Sequence, residues 1–268
     1  MEKTLFQSSL IKIGTFVLPT NKPEFHRYGY TENPLIVFPK NSIWIQHKNK
    51  DPFVADSSVI NLYNKQQTYT RFPIDKKGDY CHWIELSKKI LPQIKTSHCD
   101  NLFNVENIKC ELTTYLLHHK LFKNIESSPQ IDPLMIEDLA IEIVNNISKA
   151  TNSRPTTMLL KPTHKKLTER IKKSIHSNIS QNKSLNDIAK DVYSSPFHIS
   201  RVFKQVTGMG INQFRTQIRL KSVYSEIKQG KNDLASLALD YGFSSHSHLS
   251  YSFKKYFNFT PSTLIINH

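Results

Sequence analysis

Over roughly the first hundred residues, apolar positions come in short β-branched and aromatic runs: LIKIGTFVL, NPLIVFP, SIWIQH, SVINLYN, TYTRFP and HWIELS. Breaks containing Pro, Asn, Asp and Gly separate them, so each run predicts a strand, and half a dozen at this spacing predict a small antiparallel barrel or sandwich. From about Val105 the period changes from two to 3.6. ENIKCELTTYLLHHKLFKNI sets Ile108, Leu112, Tyr115, Leu116 and Phe122 along one helix side, and Pro133 opens a second helix, LMIEDLAIEIVNNI. The apolar stripes of these helices must bury against the barrel, each other or a second protomer. Thr151 to Lys166 carries two prolines among Ser, Thr and Asn and is expected to be a linker.

The stretch from Ser184 to Pro261 repeats itself. Leu185, Ala189 and Asp191 recur as Leu234, Ala238 and Asp240 at a step of 49. Ser194, Ser195, Ser200, Phe203 and Lys204 recur as Ser244, Ser245, Ser250, Phe253 and Lys254 at a step of 50. Each copy predicts a short helix, a tight turn and a second helix, with the Ser-Ser pair as an N-cap and Pro196 at the first helical position. In the first copy Ile199, Val202, Phe203 and Val206 keep core spacing, which leaves Phe197, Ser200, Arg201 and Lys204 on the outer face. In the second, Leu249, Phe253 and Tyr256 face inward, which leaves Ser247, Ser250, Tyr251 and Lys254 outside with His246 at the helix start. In helix-turn-helix geometry the second helix enters the major groove and presents such residues to DNA. The plain alternative is a helical core with a solvated charged face, but matched outer faces in both copies argue against it. A support helix around Leu167, Ile171 and Ile175 precedes the repeat. A connecting helix from about Asn212 to Lys228 carries Phe214, Ile218, Leu220 and Ile227 between the copies.

With SRVFKQVTG in the first copy and DYGFSSHSHLSYSFKKYFNFTP in the second, the C-terminal region resembles the AraC/XylS-type DNA-binding domain. The resemblance implies a sequence-specific regulator of bacterial transcription, most often an activator that contacts RNA polymerase. It also implies a cupin-like N-terminal domain, and ADSSVINLYNKQQTYTR and GDYCHWIEL look like strands of that barrel. The expected architecture is thus α+β: a cupin-like antiparallel β-barrel with two helices over 1–150, a linker over 151–166, and two helix-turn-helix units joined by a long helix over 167–265. The chain departs from the family pattern at Asn258 (usually Gly), Tyr251 (often Arg), Val223 and Glu226, which puts base reading by the second unit in question.

Charge supports a polyanionic partner, double-stranded DNA. The net charge is +14, and from Lys161 onward there are 17 basic and 6 acidic residues, so most of the excess lies in the C-terminal part. Such cations release condensed counterions from phosphates. A nonspecific architectural DNA protein would carry the same charge but would not need two base-reading faces on a stiff spacer. Three cysteines, Cys81, Cys99 and Cys110, are an odd number without paired metal spacing, and no run reaches membrane-spanning length, so a cytoplasmic protein is expected.

Twelve histidines raise the question of a metal. His118-His119 point to different sides of a helix, His246 and His248 stand two apart, and Cys81-His82 alternate across a strand, so none of these pairs suits one ion. The His-x-His pair and later Glu of a metal-binding cupin are missing, and no catalytic ordering or phosphate loop is present. No cofactor, metal or catalytic residue is expected, which sets a cupin-type enzyme aside. The N-terminal part is aromatic-rich, with Phe25, Tyr28, Tyr30, Phe38, Trp44, Tyr63, Tyr69 and Trp83. Two readings stand: these rings fill a barrel core, or they line an effector pocket in which Arg27 or Arg71 meets a carboxylate. In regulators of the kind this chain resembles such helices commonly make the dimer contact, so the resemblance implies a homodimer through the two helices, with packing on the barrel as the equal alternative.

Overall fold

The computed structural model describes residues 1–90, 102–127, 132–152 and 161–266. The chain divides into two compact units, Met1–Met158 and Leu159–His268.

The first unit is built on β1 (Glu2–Gln7), β2 (Ile11–Leu18), β3 (Gly29–Thr31), β4 (Leu35–Pro39), β5 (Ile43–His47), β6 (Phe53–Ala55), β7 (Val59–Tyr63), β8 (Gln67–Pro73), β9 (Asp79–Leu86) and β10 (Asn107–Lys109). They form a six-stranded sheet in the order β1-β2-β9-β4-β7-β10 and a four-stranded sheet in the order β3-β8-β5-β6. Neighbours are antiparallel, as in β4 against β9 and β5 against β8. Alternation does the packing in β5, where Ile43, Ile45 and His47 are buried and Trp44 and Gln46 less so. One core takes Val37, Tyr63 and Trp83 from the larger sheet and Ile43, Ile45 and Phe53 from the smaller. Tyr28 and Tyr30 are exposed, so of the two readings of the aromatic residues core filling does not hold for them.

Two helices complete this unit, α1 (Leu112–Ser127) and α2 (Pro133–Asn152). They pack on each other, α1 also meeting β1 and α2 meeting β10. The expected start near Val105 is corrected: Ile108 pairs with Ile60 as part of β10, and the helix begins only at Leu112. Sheet hydrogen bonding thus overrides the helical spacing of one residue. The buried side of α1 carries Tyr115, His118, Leu121, Phe122 and Ile125, while Leu112 and Leu116 are half-buried.

The second unit is helical: α3 (Pro162–His176), α4 (Leu185–Asp191), α5 (Pro196–Thr207), α6 (Ile211–Lys228), α7 (Leu234–Asp240), α8 (His246–Phe257) and α9 (Pro261–Ile266). Of the linker expected over 151–166, residues 151–152 belong to α2 and residues 162–166 to α3, and residues 153–160 lie outside the described ones. Ile171 and Ile175 of α3, Ile188 of α4, Ile199 and Phe203 of α5, and Phe214 and Ile218 of α6 form one core. Tyr224 of α6 packs on Phe253 and Phe257 of α8, so one helix serves both halves. Among the described residues no helix is long and apolar enough to cross a membrane.

Candidate nucleic-acid interface

Both copies of the repeat start their second helix in the same way. Ser195 Oγ accepts from the His198 amide at 3.2 Å, and Ser245 Oγ from the His248 amide at 3.1 Å. Each satisfies an otherwise orphaned donor of the first turn. The ends match as well: Gly208 after α5 and Asn258 after α8 are both left-handed, with φ of 76° and 67°. Asn tolerates that region better than other non-glycine residues, which suits it to end α8 as Gly208 ends α5.

The spacing of apolar residues then decides the faces. On α5, Ile199, Val202 and Phe203 are buried, and Phe197 (78% exposed), Arg201 and Lys204 lie outward. On α8, Leu249, Phe253 and Phe257 are buried, and His246, Ser247, Tyr251 and Lys254 lie outward. Ser200 and Ser250 are half-buried at the edge of these faces, and Ser250 Oγ shares a hydrogen bond with His246 Nε2 at 3.2 Å. Tyr256, expected inside, is only half-buried because Phe257 takes the core position. The nine candidate residues therefore fall on two outward faces, one per copy.

What holds the copies together is Arg219, which sequence reasoning missed. It is 5% exposed in the middle of α6. Its Nε donates to the Ile179 carbonyl at 2.7 Å, Nη2 to the Gln181 carbonyl at 2.9 Å, and Nη1 to Asn182 Oδ1 and the Gly242 carbonyl, both at 2.9 Å. One guanidinium thus ties the segment before α4 to the turn of the second copy. Burial, helped by nearby Arg215, lowers its pKa to about 10, so it stays charged at neutral pH. Glu226 adds a second tie on α6, accepting from the Tyr241 hydroxyl at 2.9 Å and pairing with Lys231 at 2.6 Å.

The two turns differ. Tyr193 and Gly242 occupy equivalent positions, both left-handed, with φ of 52° and 70°. A Cβ on Gly242 would collide with the Ser180 carbonyl and the Arg219 guanidinium, so only glycine fits there. Tyr193 is instead 91% exposed, and its backbone costs about 1–2 kcal/mol for a residue with a side chain.

The first unit holds a cavity of about 1380 Å³ among the β-strands, lined in part by Phe16, Tyr69, Arg71, Asp79 and Trp83. Arg71 is 6% exposed, donates from Nη2 to the Tyr69 hydroxyl at 2.8 Å and lies 3.3 Å from Asp79 Oδ2. Its guanidinium sits over the rings of Phe16 and Tyr69, 5.0 and 5.2 Å from their centroids. Burial pushes the Asp79 carboxyl up to about 6, with Arg71 pulling the other way. Arg27 lines the same cavity. The two arginines expected near a pocket are thus brought to one. Elsewhere, His82 Nδ1 and His118 Nε2 share a buried hydrogen bond at 3.0 Å, linking β9 to α1. Among the described residues no three His, Cys, Asp or Glu side chains gather in a metal-holding group.

A family profile described as "Helix-turn-helix domain" matches residues 188–265. The chain is 32% identical over 92 residues to the Msm operon regulatory protein of Streptococcus mutans serotype c, covering 34% of this chain and 33% of that protein. It is 31% identical over 87 residues to the regulatory protein PocR of Salmonella typhimurium, covering 32% and 29%. The matches thus span about a third of the length of these curated relatives. Among solved structures, fatty-acid-bound ToxT of Vibrio cholerae aligns over 97% of this chain and 96% of its own, at 18% identity and a TM-score of 0.39. The profile match falls on the duplicated helices whose caps and faces are described above, and the C-terminal unit is a helix-turn-helix domain of the AraC type.

Proposed function

We propose that this chain is a sequence-specific DNA-binding regulator of bacterial transcription, acting in the cytoplasm, in which α5 and α8 read two successive major grooves. The observation that carries this reading is the pair of capped helices with polar outer faces, held on one connecting helix by Arg219. The excess of cations from Lys161 onward supplies the sequence-independent attraction to phosphate. In this reading Arg201 reads a base edge, Lys204 neutralises phosphate, and Phe197 contributes apolar contact, for instance to a thymine methyl group. His246, Ser247, Ser250, Tyr251 and Lys254 read the second half-site with less base specificity. The DNA-reading part comprises 167–265, and the regulator acts as an activator through RNA polymerase.

The first unit is read as the control element over 1–150. Its cavity, with Arg71 between Phe16 and Tyr69, suits a small organic effector carrying a carboxylate, and α1 and α2 provide the face for a homodimer, where Leu134 and Met135 are exposed. An effector that favours one state must raise the stability of this unit and shift operator affinity by the same coupling energy.

Binding-site selection with the full-length chain tests the DNA reading, followed by salt titration on selected and random duplexes. A regulator yields an enriched motif and a preference of about 10³-fold or more over random DNA. Equal affinity for both duplexes at every salt concentration would instead assign a nonspecific architectural role.

A further inference from the structure

We propose that Tyr193 and Arg170 form a contact for the DNA sugar-phosphate backbone beside the first recognition helix. This rests on the DNA-binding reading above and adds a surface outside the groove-facing stripe of α5.

The turn before each recognition helix needs a left-handed residue, and the second copy uses the residue type suited to it, Gly242. The first copy keeps a tyrosine in the same conformation, and its side chain stands almost wholly in solvent. The core of the unit therefore gives nothing back for that backbone cost. A strained residue that folding does not require points to a function outside the fold.

Position and chemistry narrow that function. Tyr193 lies two residues before the N-cap of α5 and four before Phe197. In helix-turn-helix docking the first turn of the second helix meets base edges, so a residue just ahead of it lies at the rim of the groove, where the phosphates run. Exposed Arg170 of α3 lies beside the ring, with its guanidinium carbon 6.0 Å from the centroid. The carboxylates closest to it in sequence and along the turn are engaged elsewhere. Glu169 pairs with Lys172 at 3.3 Å, and Asp191 pairs with Lys183 at 2.7 Å and accepts from Ser174 Oγ at 2.5 Å. Among the described residues no ion pair neutralises Arg170. A phenol and an unneutralised guanidinium side by side offer hydrogen-bond donors and positive charge, which match a phosphate oxygen. The cation–π contact also orders both side chains before DNA arrives.

Three full-length variants, Tyr193→Gly, Tyr193→Phe and Arg170→Ala, are titrated on the duplex selected by the wild type and on a random duplex. Thermal unfolding is followed alongside. Tyr193→Gly is expected to unfold at or above the wild-type temperature, since glycine relieves the left-handed residue, yet to bind both duplexes about 5–10-fold more weakly. Tyr193→Phe, which keeps the ring and loses the donor, falls with it. Arg170→Ala lowers the slope of log affinity against log salt by about one. Wild-type affinity in either Tyr193 variant overturns the proposal, and so does a loss confined to the selected duplex, which would mean base reading. If the wild type binds no duplex at all, the DNA-binding reading itself falls, and this one with it.

Discussion

Replacing Arg219 by Met keeps most of the aliphatic stem in α6 and removes the guanidinium, so the carbonyls of Ile179 and Gln181 and Asn182 Oδ1 lose its hydrogen bonds, and the Gly242 carbonyl keeps only the one from Asn182 Nδ2 at 3.3 Å. A charge-assisted hydrogen bond contributes about 1.5–3 kcal/mol, which sets an upper bound of roughly 6–12 kcal/mol for the four. These acceptors sit in loops that open to water once the side chain is gone, so each loss costs nearer 1 kcal/mol. The expected destabilisation of the second unit is therefore about 3–5 kcal/mol, the range for breaking a buried charged network. Urea unfolding separates this effect cleanly. Both tryptophans, Trp44 and Trp83, belong to the first unit, so their fluorescence reports on that unit, while far-UV circular dichroism records the helices of both units, and the part of it that does not follow the tryptophan transition belongs to the second. Arg219→Met should move the helical transition to lower urea and leave the tryptophan transition in place. A loss under 1 kcal/mol, or an equal shift of both transitions, would refute the account of Arg219 as the tie between the copies.

Arg201→Ala should cost about 1–3 kcal/mol on the selected duplex and relax preference at one base pair, whereas Lys204→Ala should weaken all sequences alike; a repeat of the selection with each variant distinguishes the two roles. Removing the cap hydroxyl with Ser195→Ala should cost the second unit about 1 kcal/mol, read as a lower midpoint in the helical transition; an unchanged midpoint would mean that Pro196 alone defines the start of α5. Burial lowers the pKa of His47 to about 4, with Lys50 acting in the same sense and Glu106 opposing. Against an unfolded value near 6.5, its stability contribution is full above that pH and is lost as pH falls toward 4. Between pH 7 and 5 the wild type should therefore lose about 2 kcal/mol relative to His47→Gln in the tryptophan transition. Asp79, whose pKa is raised to about 6, contributes the opposite slope, so the variant difference is the quantity to compare; parallel pH curves would refute the His47 assignment.

The outward faces of α5 and α8 were legible because they depend on local rules. A serine cap, an apolar repeat and a glycine or asparagine stop are all written within a dozen residues of each helix. The sheet was legible at β2, β4, β5, β7, β8 and β9, but not at β1 (Glu2–Gln7), whose EKTLFQ mixes charged and apolar residues, nor in the shortest strands. β3, β6 and β10 have three residues each, too few to show a period, so Ile108 was read into a neighbouring helix. Arg219 left no trace because its partners are mostly main-chain carbonyls, which every sequence carries. His82 and His118 stand 36 residues apart and meet only because β9 packs beside α1. The spacing of His118 and His119 along the chain carries no sign of that contact. Tyr193, by contrast, was readable in principle: aligning the copies puts it opposite Gly242, a mismatch at a turn that needs a positive φ.

The unequal turns have a consequence for how a target site is laid out. A symmetric dimer reads a palindrome and binds it identically in either direction. Here the two readers differ in their outer faces, the second turn admits only glycine, and Arg219 holds both on one helix in fixed order. On the proposed reading, a single chain therefore recognises a directional sequence, and the site itself dictates which way the protein faces along a promoter.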